Sequence, residues 1–425
     1  MKAAPGEAWV LRTFGELFKL KHGYAFKGEH FSDVGPYIVL TPGNFYDQGG
    51  FKHKSQEKYY TGDVPEGFIL SRGDLLVAMT EQAEGLLGSS AFVPADNLYL
   101  HNQRLGLVAD LDTERLDRTF LYYLLNFQSV RDQIRATANG AKVRHTSPSR
   151  IYEVTARLPD VSTQQKIASI LRAYDDLIDS NLRRIAILQA MAQTLYREWF
   201  VKFRSHGRDE VGIANSPLGG IPVGWEVLPI KNLGEVILGG TPSRRTPSYW
   251  ANGTIPWLKS GKLNDIRVID GTESITQEGL RHSATKLMPR KTVLIAITGA
   301  ILLSFLEIDA CANQSVVGVI ASDRVGSEYL HLYLQEHIDL LKSKMSGSAQ
   351  QHVNKSVVED TPVLVPPPDL VARHSAIVKP QYDLVAALLR RNKVLARCRQ
   401  LLLHRLVSGV VDVSRIAVSG REEGT

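Results

Sequence analysis

The stretch LPDVSTQQKIASILRAYDDLIDSNLRRIAILQAMAQTLYREWFVKFR, from Leu158 to Arg204, decides how the rest of the chain is arranged. Positions separated by alternating steps of four and three residues are almost all apolar, and this repeat keeps one narrow stripe facing a partner helix. The pattern predicts one helix of roughly 60 Å, with Ser162 or Thr163 capping its first turn. The stripe consists of Ile167, Leu171, Tyr174, Ile178, Asn181, Ile185, Leu188, Ala192, Leu195 and Trp199.

A second copy of this stretch, VPPPDLVARHSAIVKPQYDLVAALLRRNKVLARCRQLLLHRLVSG, lies near the other end of the sequence. Leu158 aligns with Val365 and Leu195 with Leu402, and no gap is needed between them. The copy therefore predicts a second long helix. We expect it to bend or restart at Pro380, because proline lacks an N–H and its ring clashes with the preceding turn. Its predicted packing residues are Val378, Val385, Leu388, Leu395, Leu402 and Leu406.

Length and composition limit the class of protein. The 425 residues exceed the usual size of one hydrophobic core, and 44% of them are hydrophobic, so two or more globular domains are expected. No apolar run approaches the ~20 residues that span a bilayer, and the N-terminus has no apolar signal core, which predicts a cytoplasmic protein. The net charge of +6 permits a polyanionic partner. Cys311 and Cys398 are too few for a disulfide framework, and buried thiols are expected.

Two globular blocks alternate with the two predicted helices. In the first block, residues 68–80 predict two strands joined by a Gly-Asp turn, and residues 118–138 have helical periodicity, which together indicate an α+β domain. The second block repeats these signals: GDLLVAMT at residues 73–80 resembles KTVLIAIT at residues 291–298, and Asn102-Gln103 recurs as Asn313-Gln314. The predicted order is globular block, helix, globular block, helix.

The predicted fold class is α+β, with two homologous α/β domains separated by two long α-helices that pack as an antiparallel coiled coil and form a pseudo-two-fold internal repeat. The charges favour antiparallel pairing, because Asp175, Asp176 and Asp179 come early in the first helix and Arg397, Arg399 and Arg405 late in the second. The alternative is that both sets are solvated faces. The predicted segments are a first domain 1–157, a first helix 158–204, a linker 205–224, a second domain 225–364, a second helix 365–409 and a tail 410–425.

Sequence signatures of catalysis are missing. The chain has no GxxxxGK[ST] phosphate loop, no GxGxxG after a strand, no HExxH, no GxSxG and no NPP[YF]-type tetrapeptide of amino-methyltransferases. Its twelve histidines have no metal-ligand spacing, and its carboxylates are not clustered. The sequence therefore predicts no catalytic residue and no metal site, and we expect a protein that is not itself an enzyme.

Binding is the function that remains, and two like units held apart by a rod suit the reading of duplex DNA at two places. Polar loops occupy matching positions at NGAKVRHTSPSR (139–150) and SGSAQQHVNKS (346–356). Arg and Lys can bond guanine edges, Asn and Gln adenine edges, and all four can hold phosphates. For any single residue, an ordinary solvated loop is the alternative. The candidate contacts are Lys52, Lys54, Lys142, Arg144, His145 and Arg150 in the first block, and Arg244, Arg245, Lys259, Lys262, Gln350, Gln351, His352, Asn354 and Lys355 in the second.

Three stretches resemble a known family. GGIPVGWEVLPIKNLGEVILGGTPSRRTPSYWANGTIPWLKSGKL resembles the opening of a target-recognition domain of a type I restriction-modification specificity subunit. LPDVSTQQKIASIL and VPPPDLVARHSAIV resemble the stretch that closes each such domain and opens its conserved helical region. The resemblance covers nearly the whole chain, twice, in the family's order. It departs from the family pattern at Gln164-Gln165 and at residues 371–373, and the first block lacks the GGIPVGW opening.

The resemblance implies a non-catalytic DNA-sequence specificity subunit. Each recognition domain would read one half of a bipartite target in double-stranded DNA. The paired helices would set the spacer and dock two methyltransferase (M) subunits, and restriction (R) motor-nuclease subunits could complete the assembly. No cofactor would bind this chain, since S-adenosylmethionine would sit in the M subunit.

Two alternatives from other classes stay open. A coiled-coil scaffold with two globular protein-binding ends predicts no salt-dependent binding to DNA, whereas phosphate contacts require it. A self-contained methyltransferase or nuclease predicts S-adenosylmethionine binding or DNA cleavage by the purified chain alone.

Overall fold

A computed structural model describes residues 9–54, 56–81, 85–140, 143–204, 212–344, 353–413 and 416. The chain divides into two compact units. Unit 1 consists of Met1–Leu177 and Leu395–Thr425, and unit 2 consists of Ile178–Val394. Each unit therefore takes one part of each long helix together with one globular domain.

Unit 1 contains short strands and three short helices, followed by the start of the first long helix. Its strands are β1 (Val10–Thr13), β2 (Lys19–His22), β3 (Phe31–Ser32), β4 (Tyr37–Val39), β5 (Tyr59–Tyr60), β6 (Leu75–Ala78), β7 (Thr80–Glu81), β8 (Ser90–Phe92), β9 (Tyr99–Leu100), β10 (Leu105–Ala109), β11 (Arg144–His145) and β12 (Thr155–Leu158). Its helices are α1 (Arg118–Leu125), α2 (Gln128–Ala136), α3 (Pro148–Tyr152) and the long α4 (Val161–Tyr196), which continues into unit 2.

The centre of unit 1 is an antiparallel sheet in the order β2-β10-β6-β8. A second sheet has the order β3-β5-β4-β9, in which β4 and β9 are parallel. β1 pairs with β12, so that Val10 lies opposite Leu158 and the start and end of the domain meet. All four residues of β6 are buried, as expected for an apolar strand that is covered on both faces.

Unit 2 repeats this set of elements, with short helices and the greater part of the second long helix. Its strands are β13 (Ile213–Ser216), β14 (Gly219–Pro222), β15 (Glu226–Pro229), β16 (Gly234–Leu238), β17 (Ile255–Leu258), β18 (Glu273–Ile275), β19 (Val293–Ala296), β20 (Leu302–Phe305), β21 (Cys311–Ala312), β22 (Val316–Ala321) and β23 (Pro362–Val365). Its helices are α5 (Gln277–Arg281), α6 (Ser327–Glu336), α7 (Ile338–Lys342), α8 (Lys355–Glu359) and the long α9 (Pro368–Val407), which continues into unit 1.

Each main sheet of unit 2 has a counterpart in unit 1. The central sheet β16-β22-β19-β20 matches β2-β10-β6-β8 in order and direction. The smaller sheet β18-β17-β21 contains a parallel pair, β17 and β21, as its counterpart does in β4 and β9. β15 pairs with β23 as β1 pairs with β12. The predicted internal repeat is therefore confirmed at the level of topology.

Each unit has one main core to which both long helices contribute. In unit 1, Ile167 and Leu171 of α4 and Leu406 of α9 belong to the same buried cluster as α1. In unit 2, Trp199, in a π-helical turn at Arg197–Val201 after α4, shares a cluster with Val378 of α9. Most of the stability of long helices comes from burying such a face and not from intrinsic propensity.

The two long helices run in opposite directions where they meet in unit 2. The Asn181 amide donates to the Asn392 side-chain carbonyl at 2.7 Å, and the Asn392 amide donates to the backbone carbonyl of Ile178 at 3.2 Å. Further along α4, Ile185 packs against Leu388, which lies earlier in α9 than Asn392. The polar residue of the first predicted stripe thus bonds to a buried asparagine of α9. A coiled coil along the whole length stays a prediction.

The structure corrects two local predictions about the long helices. α9 is continuous through the exposed Pro380, with the buried Val378 and Tyr382 on either side, so the predicted restart at this proline is wrong, whereas a bend there stays a prediction. The first turn of α4 is capped by Asp160, whose carboxylate accepts from the Thr163 N–H at 2.9 Å. A carboxylate is favoured there because it also complements the helix dipole.

Three other segments differ from the sequence predictions. Part of the predicted linker forms the β13-β14 hairpin, because Gly219, at φ 92°, supplies the backbone conformation of a tight turn. Residues 68–70 form no strand, and Ile69 makes one isolated bridge to Leu100. The helix predicted over 118–138 is two helices, broken where the Asn126 amide donates to the Tyr122 carbonyl at 2.9 Å and so competes with the helix backbone.

No helix among the described residues is both long enough and apolar enough to cross a membrane.

Candidate nucleic-acid interface

Three backbone segments converge at one end of the central sheet in unit 1. The Met79 N–H, just after β6, donates to the Arg104 carbonyl at 3.0 Å, and the Thr146 N–H donates to the Met79 carbonyl at 2.9 Å. In unit 2 the Ile297 N–H donates to the Ser315 carbonyl at 2.9 Å, and the Val353 N–H donates to the Ile297 carbonyl at 2.9 Å. We call each of these places the sheet-end junction. It holds Thr146 in unit 1 and Val353 in unit 2 at equivalent places.

A tight turn that starts at an asparagine forms one side of each junction. The Asn102 side chain accepts from the Arg104 N–H at 3.1 Å, and its backbone carbonyl accepts from the Leu105 N–H at 3.0 Å. Asn313 makes the same two bonds, to the N–H groups of Ser315 at 3.2 Å and Val316 at 3.1 Å. Asparagine suits this position because its side chain can replace a backbone acceptor in a turn.

A glycine lets each turn lie directly against the strand that begins the central sheet. A Cβ added at Gly23 would lie 2.0 Å from the Asn102 carbonyl oxygen, and one at Gly239 would lie 2.1 Å from that of Asn313. No side chain fits at such distances, so glycine is required at both places. In unit 1 the buried His101 ring also bonds the Leu105 carbonyl at 2.9 Å, and burial lowers its pKa to about 4. The junction is thus held by neutral groups.

In unit 1 the structure places the predicted loop contacts on or beside β11. Arg144 and His145 are exposed and pair with β7, and Arg150, in α3, is half-buried. Lys142 lies outside the described residues. Arg144 and His145 are therefore at the sheet-end junction, close to the Asn102 turn.

In unit 2 the corresponding loop leads into α8. Asn354 caps this helix by accepting from the Val357 N–H at 2.9 Å, and Lys355 pairs with Glu359 at 3.1 Å. Both line a cavity of about 340 Å³ together with Gln314 and Thr298. Gln350, Gln351 and His352 lie outside the described residues. Asn354 thus has a structural role in addition to any contact with DNA.

The basic residues predicted between β4 and β5 in unit 1 are held by neutral groups. Exposed Lys52 lies with its ammonium 5.8 Å from the centre of the Tyr46 ring. The Lys54 ammonium donates to the Thr41 hydroxyl at 2.7 Å, and burial lowers the pKa of this lysine. Among the described residues, no carboxylate lies within ion-pair distance of either ammonium.

Most of the basic residues predicted in the corresponding part of unit 2 are tied to carboxylates. Arg244 and Lys259 both bond Glu273 at 2.6 Å, and these bonds, that of Arg244 first, lower the pKa of Glu273 to about 2. The Arg244 guanidinium also stacks 3.5 Å from the Trp250 ring centre. Lys262 pairs with Asp265 at 2.7 Å and Asp270 at 2.6 Å, whereas Arg245 is exposed. A phosphate contact by the paired residues would have to replace a carboxylate.

The predicted packing residues of the two helices are either buried or half-buried, and the sequence reasoning missed several others, among them Tyr382 of α9. Tyr196 and Phe200 are also buried in unit 2, because the π-helical turn at Arg197–Val201 widens the helix and brings additional side chains to the core. The aromatic run YREWF was the signal for this. Buried members are Ile167, Leu171, Ile185, Trp199, Val378, Val385, Leu388 and Leu406; half-buried members are Tyr174, Ile178, Leu188, Leu195, Leu395 and Leu402.

The sequence reasoning also missed Gln103 and Gln314 as candidate contacts. Both are exposed at the tip of the asparagine turn, and the Asn-Gln pair had served only as a marker of the repeat. Within the described part of the chain, no group of three or more His, Cys, Asp or Glu side chains could hold a metal ion.

Comparisons with known proteins point to one family. The family profile described as type I restriction modification DNA specificity domain matches residues 6–190 and again residues 222–390. The chain is 24% identical over 392 residues to the type I restriction enzyme MjaIX specificity subunit of Methanocaldococcus jannaschii, which covers 85% of this chain and 89% of that protein. It is 22% identical over 321 residues to the HindI specificity subunit of Haemophilus influenzae, covering 61% and 70% of the two chains.

A solved structure has the same fold. The crystal structure of the type I restriction-modification system S subunit from M. genitalium superposes with a TM-score of 0.58 at 16% sequence identity, over 96% of this chain and 97% of the other.

Proposed function

Because the chain belongs to the family of type I restriction-modification DNA specificity proteins, we propose that it is the non-catalytic subunit that selects the DNA target of such an enzyme. Each unit reads one half of a bipartite site in double-stranded DNA. The observation that carries this proposal is the sheet-end junction, which presents exposed polar side chains on the same hydrogen-bonded frame in both units. The backbone hydrogen bonds of the junction are the same in both units, whereas the exposed side chains differ. This combination suits the reading of two different half-sites.

The long helices set the spacer and hold the catalytic partners. Apolar side chains are exposed at equivalent positions of the two helices: Leu177 is 43% exposed and Leu384 37%, and Ile187 is 59% exposed and Val394 61%. Exposed apolar side chains that recur in this way favour protein contacts. We therefore propose that two M subunits dock on the two helices and supply S-adenosylmethionine, and that R subunits can join the assembly.

Co-expression with the cognate methyltransferase tests the proposal. Methylated adenines are mapped on genomic DNA by single-molecule sequencing, and we expect a split motif with a fixed gap. Exchange of residues 9–157 for another recognition domain should change only one half of the motif. The proposal fails if methylation is absent, or if the motif is continuous and indifferent to the exchange.

The spacer role has its own test. Insertion of four residues near Ala190, about one turn of α4, should lengthen the gap of the methylated motif and leave both half-sites unchanged. An unchanged gap would exclude the role of the helices as a spacer.

Salt dependence distinguishes DNA binding from the scaffold alternative. The affinity of the complex for duplex DNA should fall steeply as salt is raised, because lysine and arginine contacts with phosphates release counterions. Absent or salt-independent binding would favour a scaffold that binds proteins.

A further inference from the structure

Gln103 and Gln314 occupy the same place in the two sheet-end junctions. Each follows the asparagine of the turn, and each is exposed. The bonds that fix their backbone have counterparts of nearly equal length in the two units, as do the glycine contacts beneath them. A side chain held on such a frame projects from a defined point with little backbone freedom to lose on binding.

The residues next to these glutamines differ between the units. Arg104 in unit 1 corresponds to Ser315 in unit 2, and Tyr24 corresponds to Gly240. Half-sites of different sequence require side chains of different chemistry, whereas the sugar-phosphate backbone is the same in both half-sites. A residue kept the same among neighbours that vary therefore fits the constant part of the ligand.

We infer that Gln103 and Gln314 are a matched pair of backbone anchors, whose side-chain amides donate hydrogen bonds to phosphate oxygens at equivalent places in the two half-sites. This inference rests on the proposed function. The amide of Gln314 is oriented for this, because the Thr241 hydroxyl donates to its Oε1 at 2.6 Å and its two N–H groups remain as donors. Glutamine amides are among the groups that bind phosphates in complexes of proteins with DNA.

An anchor of this kind places the unit on the duplex and carries no sequence information. A glutamine can instead read adenine with two hydrogen bonds. In that case both half-sites would need adenine at the equivalent position, and loss of the glutamine would affect the cognate site alone. The two roles therefore differ in which DNA responds to the substitution.

The experiment uses the full chain purified in complex with its methyltransferase. Two duplexes serve as probes: one with the mapped bipartite site and one with both half-sites scrambled. Dissociation constants are measured by fluorescence anisotropy over a range of salt. We expect Gln103→Ala and Gln314→Ala each to weaken binding about fivefold on both duplexes, the effect of one lost hydrogen bond. The salt dependence should not change, since an amide releases no counterion, and the methylated motif should stay the same.

Two further variants sharpen the result. Gln314→Glu keeps the size of the side chain but faces phosphate with a negative charge, and should weaken binding more than alanine does on both duplexes. Gln335→Ala removes an exposed glutamine of α6, which belongs neither to a sheet-end junction nor to the long helices, and should leave both affinities unchanged.

The inference is overturned if the alanine variants lose affinity only for the cognate duplex or relax one base of the motif, because the glutamine then reads a base. Unchanged affinity on both duplexes overturns it as well. If the unsubstituted complex itself shows no salt-dependent binding and no split motif, the proposed function fails, and this result is distinguishable from failure of the anchors alone.

Discussion

The two units use different chemistry at the same position of the long helices. In the gap-free alignment of the two helices, Asp175 of α4 is equivalent to Tyr382 of α9. In unit 1 the Asp175 carboxylate accepts from the Tyr123 hydroxyl at 2.7 Å and pairs with Arg399. In unit 2 the Tyr382 hydroxyl bonds the His331 ring at 2.8 Å. The repeat therefore preserves the packing of a long helix against each domain. The polar groups that link helix and domain differ between the two units.

The two units also differ in how deeply the ion pair beside each of these residues is buried. In unit 2 the Arg267 guanidinium stacks 3.7 Å from the Tyr382 ring centre and pairs with Glu307 at 3.4 Å, and both side chains of this pair are 2% exposed. In unit 1 the side chains of Asp175 and Arg399 are 24% and 17% exposed. Burial of a charge pair makes removal of one partner more costly. Unit 2 should therefore respond more strongly than unit 1 to loss of a charge.

The largest expected effect is that of Arg267→Met. It leaves the buried Glu307 paired with the more exposed Arg290 at 3.3 Å and Arg390 at 4.0 Å. Loss of the one fully buried partner should lower the free energy of unfolding of unit 2 by about 3 kcal/mol. Denaturation is followed by tryptophan fluorescence, which reports mainly on unit 2 because Trp9 is the single tryptophan of unit 1. Arg324→Met, which breaks an exposed pair with Glu226, is the control and should cost under ~1 kcal/mol. Equal losses would contradict the role of burial.

The second largest expected effect is a loss of stability of unit 2 at acidic pH. His374 lies at 4.9 Å from the Phe200 ring, and burial lowers its pKa to about 4; burial also lowers the pKa of His331. The unfolded chain binds protons below about pH 6.5, so stability is complete above that pH and is lost as pH falls toward 4. Lowering the pH from 7 to 5 should cost about 2 kcal/mol for His374, and His374→Phe should flatten the profile. A profile that this substitution leaves unchanged would contradict the assignment.

A smaller effect is expected from Asp175→Asn in unit 1. The amide still accepts from Tyr123, but the bond to Arg399 loses its charge, which should cost about 1.5 kcal/mol. Hydrogen exchange of the α1 amides measures this loss in unit 1 directly. Asp63→Asn, an exposed aspartate of the same unit, should have no effect. A loss as large as that of Arg267→Met would contradict the expected difference in stability between the two ion pairs.

The smallest effect on stability, about 0.5 kcal/mol, is expected from Glu273→Gln. This substitution releases Arg244 and Lys259 from their carboxylate and makes unit 2 resemble unit 1, where Lys52 and Lys54 are held by neutral groups. Affinity for scrambled duplex DNA should rise a few-fold and its salt dependence should steepen, since more cations reach phosphates. Unchanged affinity would show that the two basic residues serve the fold alone.

The sequence predicted what depends on spacing within one element. Ile185 and Leu388 could be assigned to the helix interface because a helical stripe reports burial directly. The pair Asp175 and Arg399 agrees with the antiparallel charge pattern. Polar partners that belong to different elements were not accessible in this way. Glu273, which binds two of the predicted DNA contacts, lies in a strand that periodicity does not relate to either of them.

The candidate site was predicted less completely than the fold. Arg144 and His145 were found from the composition of a loop, whereas Gln103 becomes a candidate only when the turn, the glycine and the neighbouring loop are seen to meet. Such a meeting is set by hydrogen bonds between segments far apart in sequence, and no local pattern encodes it.

The hydrogen bond between Asn181 and Asn392 also favours pairing of α4 with α9 over pairing of two copies of α4. The two asparagines bond across the interface, yet they are not repeat equivalents, because Asn181 aligns with Leu388 and Asn392 with Ile185. If the first helices of two newly made chains associated in the same register, Asn181 would face Ile185 twice, and each buried amide would lack its partner at a cost of about 1–3 kcal/mol. This one polar bond thus favours pairing of the two helices within one chain over pairing of the same helix from two chains.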